Sequence, residues 1–113
     1  MSQQAEKIAQ YIAINKEMNL GLSDDLISKV TIGLGPSIYK KDSEVVSCSN
    51  SDETARVREN FLKKKLGLTQ PDAELDAAIQ TVCERVGKSN KNKYRALFYA
   101  LLVKNFGKVD LYA

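Results

Sequence analysis

The chain has 113 residues, 43% hydrophobic and 27% charged, with a formal net charge of +3 and no histidine. That length suits one domain around one core. The missing histidine removes the commonest general base, the commonest metal ligand and the side chain that titrates near neutrality, so histidine triads and the usual zinc sites are excluded.

Glycines and capping residues cut the chain into helical lengths, and β-branched alternation long enough for a sheet is absent. The first helix is expected over about Gln4–Met18, with Ile8, Tyr11, Ile12 and Asn15 on one face. Ser23 is placed to cap the second, Asp24 and Asp25 suit its positive end, and Leu26, Ile27, Val30 and Leu34 form its stripe. Pro36 favours a kink or a fresh start, with a short helix over Ser37–Lys41. Residues 42–51 read as a loop that pins Val45 and Val46 to the core.

The third helix is expected over Asp52–Leu66, capped by Ser51 or Asp52 and stopped by Gly67. In the fourth, Thr69 is the expected cap and Pro71 lies in the first turn. Leu75, Ala78, Ile79, Val82, Cys83 and Val86 then make the clearest amphipathic stripe of the chain. The fifth, about Lys91–Phe106, is apolar on nearly all sides, which in a soluble protein marks the buried helix. Val109, Leu111 and Tyr112 are expected to pack back as a tail.

Charge is distributed unevenly, −2 over residues 1–57 and +5 over residues 58–113. The third helix carries the one anomaly. On a wheel of about 100° per residue, Arg58 and Lys65 fall in line between two apolar flanks, Val57 with Phe61 and Ala55 with Leu62 and Leu66. Unpaired burial of such charges is costly. Either the stems run out along a seam or pair with an acid such as Asp72, Asp76 or Asp110, or they line an anion-binding groove. Arg56, Lys63 and Lys64 occupy the opposite face with Glu53 and Glu59 interleaved, more like a solvated face than a nucleic-acid footprint. Lys88, Lys91, Lys93 and Arg95 form a second, weaker basic cluster.

Cys48 and Cys83 read as small packing residues; a bridge between them is open by count, but a cytosolic chain with a good core has no need of one. The longest apolar run, Ala96–Val103, has eight residues, far short of the ~20 that cross a bilayer. No secretory pattern opens the sequence, so a cytoplasmic address is expected.

The segment LGPSIYKKDSEVVSCSNSDETARVRENFLKKKLGL and the ending KNFGKVDLYA resemble a family of short bacterial proteins of unknown function, DUF2853. The likeness runs from about Leu26 to Leu111. It is most specific where Cys48, Ser49, Arg56, Val57, Arg58, Phe61, Leu62, Lys64, Lys65, Leu66, Gly67 and Leu68 stand. It implies a compact helical domain and brings no catalytic residue, cofactor or metal with it.

The expectation is therefore an all-α single domain, residues 1–113, of about five helices with the C-terminal one central. Functionally it reads as a cytoplasmic, non-enzymatic module whose protein partner meets the third helix and the polar loop before it. The alternative is a weak nucleic-acid or phosphate binder using Arg56, Arg58, Lys63, Lys64 and Lys65.

Overall fold

The apolar run near the end of the sequence forms α6, Arg95–Asn105, and every residue from Ala96 to Val103 is buried. The computed structural model describes residues 3–87 and 93–112. Around α6 pack α1 (Gln3–Met18), α2 (Asp24–Leu34) and α5 (Asp72–Val86). The Cα radius of gyration is 13.1 Å, in line with the ~13 Å of a compact chain this long. The protein is all-α among the described residues, as the helical periodicities require; its only β feature there is one antiparallel bridge, Val45 to Tyr94.

Local chemistry explains most boundaries. The Ser23 hydroxyl accepts from the Leu26 amide and starts α2. Asn15, on the inner face of α1, donates to the Leu22 carbonyl at 2.9 Å and accepts from the Leu22 amide at 3.0 Å. That buried amide pins the α1–α2 turn, through which Asn19 and Gly21 pass with positive φ. After α2 the chain tightens into a 3₁₀ turn, Gly35–Tyr39, with Pro36 in its first positions. On α5 the expected stripe is the buried one: Leu75, Ile79, Val82, Cys83 and Val86 face inward.

Several expectations are corrected. The stretch expected to be a loop contains one helical turn, α3 (Lys41–Glu44), before Val46 enters the core. The cap of α4 (Ser51–Arg56) is Asn50, whose side chain accepts from the amides of Asp52 and Glu53. Thr69 does not cap α5; Pro71 stands at that position and offers no side-chain hydrogen bond. The last helix starts at Arg95 rather than Lys91, because Tyr94 is extended and bridges Val45. Of the tail, Val109 and Leu111 are exposed in a 3₁₀ turn (Val109–Tyr112), and only Tyr112 packs against the core.

The cysteines are not free. Cys48 and Cys83 form a disulfide that ties the loop before α4 to the buried stripe of α5, across 35 residues of sequence. A reducing compartment removes the need for a bridge, but the fold decides proximity: Asn50 starts α4 beside α5 and carries Cys48 with it.

Candidate functional site

Beyond Arg56 the helix widens. Val57–Lys65 is a π-helix continuous with α4, and its i→i+5 pattern persists to the Leu66 amide, which donates to the Phe61 carbonyl at 2.9 Å. A π-helix takes about 4.4 residues per turn, so each residue advances by about 82°. On that wheel Val57, Phe61, Leu62 and Leu66 gather within an arc of about 80°, with Arg58 at one edge and Lys65 at the other. The expected alignment of Arg58 with Lys65 in the middle of the apolar arc is therefore corrected. All four apolar side chains are buried, and the phenyl ring of Phe61 stacks on Tyr99 of α6 at 3.9 Å.

The two cations consequently face different surroundings. Arg58 turns to α5. Its guanidinium donates to both carboxylate oxygens of Asp76 at 3.0 Å and to Glu59 at 2.8 Å, with Asp72 at 3.8 Å. Asp72 and Asp76 are two of the three acids that the seam reading names. Lys63 joins the same web through Glu59 at 2.8 Å and Asp72 at 2.7 Å. Hydrogen bonding to Glu59 and Asp76 holds the Arg58 pKa above its ordinary value. The Arg58 and Lys63 hydrogen bonds hold the Glu59 carboxyl below its own.

Arg56 pairs with Glu53 at 3.1 Å. Lys64 is exposed, and Lys65 lies over the Tyr112 ring, 5.5 Å from its centroid. Of the five candidate cations, Arg56, Arg58 and Lys63 are thus engaged by carboxylates, while Lys64 and Lys65 present charge to solvent and to an aromatic ring.

Of the second basic cluster, Lys88 and Lys91 lie outside the described residues, and Arg95 has a different role. It is 14% exposed and pairs with Glu53, 13% exposed. Its guanidinium also donates to the Ser43 carbonyl at 2.8 Å, the Val45 carbonyl at 3.3 Å and the Tyr99 hydroxyl at 2.8 Å. Burial pushes the Glu53 carboxyl up, but the hydrogen bonds and charges of Arg95 and Arg56 together more than offset it, leaving the pKa below its ordinary value. Four segments, α3, the following loop, α4 and α6, meet at this one side chain. The available sequence cue was its place in the first turn of an all-apolar helix, where a charged side chain must find a partner.

A third polar centre joins α1 to α3. The Tyr11 hydroxyl donates to Glu44 at 2.6 Å, and Lys7 meets the same oxygen at 2.8 Å. Burial, reinforced by the Glu44 hydrogen bond, pushes the Tyr11 phenol far above its ordinary pKa.

The family model for a protein of unknown function, DUF2853, matches residues 5–110, a wider span than the resemblance read from the sequence. The chain belongs to that family. No curated protein matches this DUF2853 member significantly.

One further surface of this DUF2853 protein escaped the sequence reading. Tyr112 lies against Gly33 of α2, where a side-chain Cβ would stand 3.7 Å from its ring. The contact sets the last turn of α2, which carries Ile32 (54% exposed), against the Val109–Tyr112 turn, which carries the exposed Val109 and Leu111. Isolated exposed hydrophobes are ordinary, but several together around a half-buried tyrosine and a lysine are less so. Among the described residues no helix is long and apolar enough to cross a membrane.

Proposed function

We propose that this protein is a small non-enzymatic interaction module whose protein partner covers the surface around Tyr112. The observation that carries the reading is that two packed elements, α2 and the Val109–Tyr112 turn, leave Ile32, Val109 and Leu111 in water, on the turn whose Tyr112 ring lies under Lys65. A complementary partner would offer an apolar patch rimmed by acidic groups, since interface centres are apolar and charge at the rim sets orientation. The surface includes the C-terminal end of the π-helix, so it keeps the third-helix location expected from the sequence but moves away from the polar loop. The nucleic-acid or phosphate reading of Arg56, Arg58, Lys63, Lys64 and Lys65 is weaker, because three of the five already face carboxylates.

The test compares cross-linked capture from the native cell by the wild type and by Ile32→Asp/Leu111→Asp. Both sites are exposed, so both proteins should melt within a few degrees of each other. A partner held by the wild type and lost from the double variant supports the proposal. Equal retention by both, or none by either, refutes it. Nucleic-acid binding would show instead as affinity at ~50 mM salt that falls steeply as salt is raised.

The proposed address is the cytoplasm, and the Cys48–Cys83 bond weighs against it because reducing pools keep most cytosolic thiols free. Trapping thiols by alkylation at the moment of lysis decides the point. Two modified cysteines fit a reducing compartment, and none fits an oxidising one.

A further inference from the structure

Arg85 on α5 and Lys104 on α6 differ from the other well-placed cations of the fold. Lys7, Lys29, Arg56, Arg58, Lys63 and Arg95 each meet a carboxylate. Arg85 and Lys104 instead donate to main-chain carbonyls of the α1–α2 turn, Arg85 to Asn19 at 2.6 Å and Lys104 to Gly21 at 2.8 Å. Both also line a cleft of about 250 Å³ whose floor is Leu20, Val82 and Leu101. The three floor residues are buried, and the described lining contains no carboxylate.

We propose that this cleft binds a small organic carboxylate, with its apolar body on Leu20, Val82 and Leu101 and its head bridging Arg85 and Lys104. A guanidinium has five N–H donors and an ammonium three, so one bond each to the α1–α2 turn leaves both able to take an anion. A capping role explains those two bonds, since cations favour a helix C-terminus. It does not explain why both residues line one cleft that also holds Leu20, Val82 and Leu101. A larger cleft among the described residues, about 410 Å³ beside α1, is lined by Glu6 as well as Lys7, so it does not select one sign of charge. At about 250 Å³ the present cleft lies below the volume of a drug-sized pocket, which limits the ligand to a handful of carbons.

Hexanoate is the probe, followed by NMR at the methyl groups of Leu20, Val82 and Leu101, with hexanol and inorganic phosphate as its uncharged and tail-less counterparts. Saturable shifts at those methyls with a Kd in the low millimolar range are expected, about tenfold weaker for each counterpart. Arg85→Met and Lys104→Met should each weaken hexanoate at least fivefold. The proposal fails if no saturation appears below about 20 mM, if hexanol or phosphate binds as well as hexanoate, or if both variants bind normally. Should either variant fail to fold, the wild type answers alone. Binding must weaken at least threefold between about 20 and 300 mM NaCl, and no salt dependence would overturn the proposal.

Discussion

Arg58 and Arg95 show how burial sets the worth of similar contacts. Each guanidinium touches carboxylates at hydrogen-bonding distance, yet the acids around Arg58 are about half exposed, while Glu53 opposite Arg95 is 13% exposed. Water can replace Arg58 around Asp72 and Asp76, whereas it reaches Glu53 poorly. Arg58→Met should therefore move the melting temperature by no more than about 3 °C. Arg95→Met should cost about 2–4 kcal/mol in denaturant unfolding, because it takes the buried partner from Glu53, leaving that carboxylate only the exposed Arg56, and removes the donor to the Ser43 and Val45 carbonyls. Equal effects from the two substitutions would contradict this assignment of burial. Glu53 adds a pH signature. Its folded pKa lies below its unfolded value, so the unfolded chain binds the proton more readily in the window between them. The contribution is complete above the ordinary glutamate pKa of about 4.3 and disappears as pH falls through the lower, folded value. Urea titrations from pH 7 to 3 should show the wild type losing stability below about pH 4.5, with a shallower acid limb in Glu53→Gln.

At the level of elements, the π-helix separates what could be read in advance from what could not. The existence of a helix here, its Gly67 stop and its basic character follow from residue types. Its period does not, because the 3.6-residue repeat is the default wheel for any helical stretch. The anomaly on that wheel, two cations inside an apolar arc, was itself the signal of a wider turn. Val57, Phe61, Leu62 and Leu66 are spaced by four, one and four residues, a pattern that a π-helix places on one side. The consequence can be measured. Leu62→Ala and Leu66→Ala should each cost about 2–4 kcal/mol, as buried leucines do, while Lys65→Met should leave the melting temperature nearly unchanged. With α-helical geometry Lys65 would sit between the Val57–Phe61 flank and the Leu62–Leu66 flank, so its replacement by methionine would stabilise the fold noticeably. A gain of more than about 4 °C for Lys65→Met would favour that geometry.

For the molecule as a whole, α6 was legible because eight successive apolar residues leave a helix no wet face. The groups that join elements distant in sequence were not, since Arg95 to Glu53 and Cys48 to Cys83 depend on how helices meet rather than on local pattern. Cysteine count permits a bridge without placing its ends together. The disulfide closes a loop that contains α4, the π-helix and the first turns of α5, the same segment that bears the Arg58 web and all five candidate cations. Cross-linking a loop of this length restricts the unfolded chain by about 4 kcal/mol in the chain-entropy account. Reduction should accordingly lower stability by about 2–4 kcal/mol, and Cys48→Ser/Cys83→Ser should melt with the reduced wild type rather than the oxidised one. Because the Arg95 pair and the stacking of Phe61 on Tyr99 do not involve sulfur, the helical circular dichroism should survive reduction at 25 °C. A reduced protein that loses its helices at that temperature would mean that the covalent tie, and not the packing on α6, holds the segment in place.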